Sequence, residues 1–218
     1  MQLIYLPLEI LIKITEFLPT KSILNLSICS KHCHSILFFI KFNEKVNFEN
    51  ISRLPYFDSF TNVKYYRFEK YFPKSLQILY WCCDDSPSQL PDSLISLYLG
   101  GNYNHPLPQL PNSLENLGLG YIHNHPLPQL PNSLKNLNLS WYYNHPLTQL
   151  PNSLKNLDLG YYYNHSLPQL PNSLESLHLS WRYNRLLPQL PDSLKFLKVW
   201  RDFPLPALSS NVNIRFFD

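Results

Sequence analysis

The chain has 218 residues, enough for one domain or one domain and a small module. Only 15% of them are charged, the net charge is +3, and no run approaches the ~20 apolar residues of a membrane span. A disordered acidic tail, a supercharged nucleic-acid binder and a membrane-crossing helix are excluded, and neither half carries the basic stripe that a phosphate backbone needs. Leucine occurs 42 times, asparagine 21 and proline 20, against 5 glycines and a single alanine, Ala207. Such a chain is not mostly ordinary helix, and so many prolines need fixed places in a repeating fold. The N-terminus lacks a basic n-region, and Glu9, Lys13 and Glu16 interrupt the apolar stretch behind it, so it does not read as a signal peptide. Cys29, Cys33, Cys82 and Cys83 fit reduced thiols, and an intracellular place, cytoplasmic or nuclear, is expected.

Residues 6–18 predict a first helix. Pro7 suits its first helical position, and Ile10, Ile14, Phe17 and Leu18 share one face. Pro19-Thr20 ends it, and residues 22–28 read as a second short helix. Ser30 can cap a third, with Cys33, Ile36, Leu37 and Ile40 on one side. Three short helices are too few for a core of their own and need a partner, either the rest of the chain or another protein. Cys29, His32, Cys33 and His34 are spaced too tightly for the usual zinc patterns, so a helix carrying two small thiols is preferred to a metal site.

Weak strand signals come at 58–65 and 73–81, and then a repeat takes over. Pro91, Pro111, Pro131, Pro151, Pro171 and Pro191 mark a unit of twenty residues, P-[ND]-S-L-x-x-L-x-L-[GS]-x-x-x-N-H-P-L-P-Q-L, with five full copies at 91–190. Counting from the proline, the leucines at four, seven and nine point inward from a short strand, and Asn/Asp-Ser before it and Gly/Ser after it are turn residues. The return arm, rich in proline, should be extended rather than helical. Stacked coils pair their strands in parallel; about nine rungs, ending in a strand near 212–216, make a solenoid roughly 40 Å long. Asparagine at fourteen (Asn104 to Asn184) predicts a ladder bonding the backbone of the turn, with the histidines beside it as part of that ladder rather than as metal ligands. The fold class expected is α+β: a small three-helix module at 1–40, a connecting segment with degenerate first coils at 41–72, and the solenoid at 73–218.

The repeat is similar to leucine-rich repeats, above all the short proline-rich kind of bacterial effectors, and more closely resembles FNIP repeats, whose units carry the same N-H-P-L-P run. The resemblance is strong over about 73–200 and weak over 54–72. Leucine-rich repeats reach their asparagine three residues after the last strand leucine; Asn144 comes five after Leu139, which predicts a wider turn. The N-terminal pattern L-P-x-E-I-L-x-x-I-x-x-F-L-P … I-L-N-L-S-x-x-S-K resembles an F-box, a module that docks on the Skp adaptor of cullin–RING ubiquitin ligases. The resemblance puts adaptor-binding roles on Leu6, Pro7, Glu9, Ile10, Ile14, Leu18, Leu24, Leu26 and Lys31; where the family has a bulky aromatic two residues after that lysine, this chain has Cys33. A plain helical cap over the first coil is the alternative.

No phosphate loop, G-x-S-x-G or H-E-x-x-H occurs, so no enzyme, metal or cofactor is expected. The expected function is recruitment of a target protein to a ubiquitin ligase, catalysis by proximity alone. A repeat scaffold or decoy, with the helices only capping it, is the alternative. Positions six, eight and eleven vary and point outward, and they place target binding on Asn136, Asn138, Trp141, Asp158, Tyr161, His178 and Trp181. The target is expected to be a protein, with no role for nucleic acid or membrane.

Overall fold

The structure, a computed structural model, describes residues 6–27, 30–67, 71–205 and 212–216. Helix α1 spans Leu8–Thr15, α2 Thr20–Ser27 and α3 Lys31–Ser35, which runs into a 3-10 turn at Ile36–Phe38. Pro7 stands one residue before the expected first helical position: it is the N-cap, and its carbonyl accepts from the N–H groups of Ile10 and Leu11 at 3.1 Å. The missing N–H of proline costs nothing there. Beyond Thr15 the helix tightens, with the N–H groups of Glu16, Phe17 and Leu18 each donating three residues back. Ser30 caps α3 as expected, its hydroxyl accepting from Cys33 N–H at 3.0 Å. Cys33, Ile36, Leu37 and Ile40 are all buried. Cys29 and the His32 side chain lie outside the described residues, and among those described no group of three or more metal-ligating side chains gathers.

Among the described residues ten parallel strands then stack in chain order: β1 Val46–Asn47, β2 Asn62–Tyr65, β3 Ile78–Trp81, β4 Ser96–Leu99, β5 Asn116–Gly118, β6 Asn136–Asn138, β7 Asn156–Asp158, β8 Ser176–His178, β9 Phe196–Val199 and β10 Asn213–Phe216. This is one more than the nine rungs expected. A helix, α4 (Phe48–Ile51), follows β1 directly. The register is fixed by the repeat, so that Leu97, Leu117, Leu137, Leu157, Leu177 and Leu197 lie beside one another across the sheet. These leucines, with those at four and nine, are buried, and the prolines at one end of each return arm leave no helix there.

Three side-chain ladders hold coil to coil. Asn104 Oδ1 accepts from Asn124 N–H at 2.9 Å, and the pattern recurs at Asn124–Asn144, Asn144–Asn164 and Asn164–Asn184. The neighbouring His125, His145 and His165 each place Nε2 3.0 Å from the asparagine carbonyl of the coil before. The serine at three does more than turn the chain: Ser113, Ser133, Ser153, Ser173 and Ser193 each donate to a leucine carbonyl nineteen residues back, at 2.6–2.7 Å. Backbone groups that no strand pairs are thereby satisfied.

The third ladder is internal. Position thirteen holds Tyr103, His123, Tyr143, Tyr163 and Tyr183, all 0% exposed, with ring centroids 5.7–6.4 Å apart from coil to coil and planes within 18°. Tyr163 Oη accepts from Leu147 N–H at 3.4 Å. His123 replaces tyrosine in the column, and among the described residues neither its ring nitrogens nor the neighbouring Tyr143 Oη has a hydrogen-bond partner. Burial, with a smaller push from His125 and His145, lowers the His123 pKa to about 4.

The module leans on the first coils. Ser59 Oγ donates to Leu37 O at 2.8 Å, and Phe42 stacks on Phe60 at 4.9 Å. The three helices find in the solenoid the core they cannot build alone.

Candidate protein-binding surfaces

Helix α1 is apolar on more than one side. Leu11 and Thr15 face inward and are buried, and Leu8, Ile12 and Leu18 pack on the same core. On the expected face of Ile10, Ile14 and Phe17, Ile10 is 43% exposed and Phe17 85%, while Ile14 is half-buried. Leu18 parts from that face and joins the core. Leu6, Leu24 and Leu26 are half-buried against the core, whereas Pro7, Glu9 and Lys31 are exposed. The structure thus divides the proposed adaptor residues into an outward stripe on α1 and half-buried leucines that hold the helices in place. Cys33, at the position where the F-box pattern has an aromatic, is fully buried within the module.

The second surface is the outer face of the sheet. Register places position eight in one row, Lys64, Tyr80, Tyr98, Gly118, Asn138, Asp158, His178, Lys198 and Arg215. Tyr80 and Tyr98 stack at 5.0 Å, and Lys45 Nζ lies 3.3 Å from the Tyr80 ring centroid. Tyr98 leans over the next coil, where a Cβ on Gly118 would come within 2.9 Å of its Cδ1; glycine is what lets the ring lie down. Beyond it opens a groove of about 390 Å³ lined by Tyr98, Gly118, Asn136, Asn138, Asp158 and His178 among others. Its floor carries a second amide ladder at position six: Asn156 Nδ2 donates to Asn136 Oδ1, and Asn136 Nδ2 to Asn116 Oδ1, each at 2.5 Å. Asn136 therefore offers a partner only its remaining N–H and lone pair. Asp158 is committed too, Oδ1 accepting from Gly160 N–H at 2.9 Å and Oδ2 lying 3.2 Å from His178 Nδ1. The groove is open, close to neutral and more apolar than polar in its lining, suited to a chain laid across it that buries apolar atoms and hydrogen-bonds the few amide, carboxylate and imidazole groups.

The third surface follows each strand. Position eleven stacks Tyr121, Trp141, Tyr161 and Trp181, with centroids 5.7, 4.3 and 6.4 Å apart. Position twelve adds Tyr142 over Tyr162 at 5.1 Å, and the Arg182 guanidinium lies 5.9 Å from Tyr161 and 5.8 Å from Tyr162. Trp141 and Trp181 keep 42% and 43% exposure. Stacking and availability to a partner coexist, because the rings shield one another's faces and leave their edges outside. At position five a charged row runs alongside: Lys135 meets Glu115 at 2.7 Å, and Glu175 takes both Lys155 at 3.5 Å and Lys195 at 2.6 Å. The hydrogen bond from Lys195 holds the Glu175 carboxyl below its ordinary range. Among the described residues no helix is long and apolar enough to cross a membrane.

Residues 86–121, 123–162 and 163–199 match the FNIP Repeat family, and residues 3–45 match the F-box domain. No curated protein matches. Among solved structures the chain is similar to one titled "The crystal structure of CroV588 a novel circular LRR protein structure" at 25% identity and a TM-score of 0.57, covering 82% of this chain and 36% of that one. It is also similar to YopM from Yersinia enterocolitica WA-314 at 26% identity and a TM-score of 0.51, covering 72% of this chain and 41% of that one. The chain spans well under half the length of either protein. Both matches carry leucine-rich-type architecture over, and the matched domains are of binding and scaffold types.

Proposed function

Because the chain belongs to the FNIP-repeat family and carries an F-box domain before its repeats, we propose that it recruits a target protein to a Skp–cullin–F-box ubiquitin ligase. Residues 1–40 dock on the Skp adaptor, 41–72 join them to the repeats, and the solenoid at 73–218 holds the target. The observation that carries this reading is the stripe Ile10, Ile14 and Phe17, apolar, at i, i+4 and i+7, with Ile10 and Phe17 exposed and Ile14 half-buried between them. Burying such a stripe against a partner is worth roughly 25 cal/mol per Å². Pro7 and Leu6 set where α1 begins, Glu9 and Lys31 border the stripe, and Leu18, Leu24 and Leu26 support it. The chain itself performs no chemistry; holding two proteins together supplies the rate.

On the target side, Asn138 and His178 in the groove and the edges of Trp141, Tyr161 and Trp181 are the contacts, with Asn136 and Asp158 keeping amide and imidazole in position. Co-purification of the full chain with the Skp adaptor tests the reading, and its absence would leave the alternative, a scaffold or decoy. That alternative draws support from the Ser59–Leu37 hydrogen bond, which ties the module to the first coils.

A further inference from the structure

The column of exposed rings at position eleven stops one coil short. Tyr121, Trp141, Tyr161 and Trp181 stack, but the coil before Tyr121 has Gly101 at that position. Among the described residues nothing fills the place of a side chain there: a Cβ built on Gly101 meets only Tyr121 Cβ, at an ordinary 3.9 Å. Tyr121 is accordingly 51% exposed, the most open ring of the column. The result is a notch one side chain wide, floored by the Gly101 backbone and walled by the Tyr121 face.

The coil above the notch is acidic. β3 and β4 are paired through Trp81 and Leu99, and Gly100 N–H donates to Trp81 O at 2.7 Å, so Cys82 lies over Gly100. Asp84 and Asp85 follow Cys83, both exposed, and among the described residues neither forms an ion pair. An open aromatic face, with two carboxylates on the coil beyond the notch, favours a flat cation. The protein uses that chemistry on its other exposed rings: Arg182 lies over Tyr161 and Tyr162, Lys45 over Tyr80, and Lys64 Nζ lies 4.4 Å from the Tyr66 centroid.

We propose that the notch between Gly101 and Tyr121 receives an arginine side chain of the target protein, its guanidinium stacked on Tyr121 and facing Asp84 and Asp85. Arginine suits it better than lysine, because a planar fork both stacks on a ring and meets carboxylates, whereas an ammonium is a hydrated point charge. This rests on the target-binding reading above and names the chemistry that the repeat selects.

The test is selection of a random dodecapeptide phage library on the full chain, followed by affinity measurement of the enriched peptides. Gly101→Trp fills the notch with a ring of the protein's own. It should fold, since Gly101 has no positive φ and the same position holds tryptophan at 141 and 181. Tyr121→Leu removes the platform by a second route. Enriched peptides are expected to carry an arginine, to lose about tenfold in affinity when it is replaced by alanine, and to lose as much on either variant. Asp84→Asn with Asp85→Asn should weaken them by about threefold and flatten their salt dependence. An enriched pool without arginine, arginine peptides that bind Gly101→Trp as they bind the parent, or no enrichment at all would each overturn the proposal. Arginine-free peptides that lose binding on Asn138→Ala would overturn it while leaving the solenoid a target receptor.

Discussion

Two regions of this molecule solve the same problem in opposite ways. In the solenoid, the partner of nearly every important side chain is its own counterpart twenty residues away: Leu117 beside Leu137, Asn124 bonded to Asn144, Tyr143 over Tyr163. In the helical module every contact is made once, as with Ser30 capping α3 or Ser59 reaching Leu37. The solenoid turns its apolar residues inward and shows water a face of amides and ring edges. The module is so apolar along α1 that it covers its own core and still leaves Ile10 and Phe17 outside. The difference teaches where each region is distinctive: the repeat in its departures from the consensus on an otherwise uniform surface, the module in an apolar surplus that the described fold leaves exposed.

The largest effect should come from breaking the inward column. Leu137, 2% exposed and flanked by Leu117 and Leu157, should cost about 2–5 kcal/mol as Leu137→Ala, read by urea denaturation. An unchanged midpoint would show that the column is not where stability resides. Next is the flaw in the tyrosine ladder. An unfolded histidine titrates near 6.5 and His123 near 4 in the fold, so between those values the unfolded chain binds more protons. The contribution of neutral His123 is therefore complete above about pH 6.5, falls as pH drops toward about 4, and amounts to roughly 3 kcal/mol over that window. His123→Tyr should remove this dependence and add hydrogen bonding like that of Tyr163 with Leu147. Denaturation curves of the two proteins at pH 7 and pH 4.5 decide it.

The other side of the comparison is tested on α1. Ile10→Asp with Phe17→Asp should lower affinity for the Skp adaptor by about 2 kcal/mol or more while leaving the melting temperature near the parent's, because both side chains are exposed. A protein that unfolds instead would make the stripe structural. The smallest effect belongs to a single rung of the asparagine ladder. Asn144→Ala frees the N–H of Asn164 at an exposed turn and should cost about 1 kcal/mol by calorimetry.

The repeat is legible in the sequence because a twenty-residue period leaves no freedom of register: the leucines place strands β4 to β9, and Asn104 to Asn184 announce their ladder. The tyrosine column is not, although position thirteen is aromatic in every full unit. Tyrosine beside exposed tyrosines and tryptophans gives no sign of which ring turns inward, and only the turn's geometry separates Tyr143 from Tyr142. The serine ladder hides for a similar reason, since a turn serine and a serine bonded to the coil before it look alike in one dimension. Val46–Asn47 is too short a strand for any periodicity. On α1, apolar residues at 8, 10, 11, 12 and 14 satisfy several helical phases at once; the outward face is the one the spacing suggests, but the inward one, through Leu11, carries the core. Which groove residues are already engaged, as Asn136 and Asp158 are, depends on distances that no sequence states.

The ladders also bear on how the length of this protein can change. A coil bonded to its neighbours through copies of itself presents the same pattern of donors, acceptors and rings at both of its faces. Copying residues 131–150 once, in tandem, would set Asn144 against Asn144, Leu137 against Leu137 and Trp141 against Trp141. The one repulsion, Lys135 on its duplicate, is already tolerated where Lys135 and Lys155 occupy neighbouring coils. Gain or loss of sixty nucleotides is thus nearly silent for folding, whereas gain of three adds one residue that the turns of a single coil must absorb, as the shorter coils between β2 and β4 already do. Reach along the solenoid axis is free to vary in whole coils, and the chain can acquire a longer face for a new partner without rebuilding the one it has.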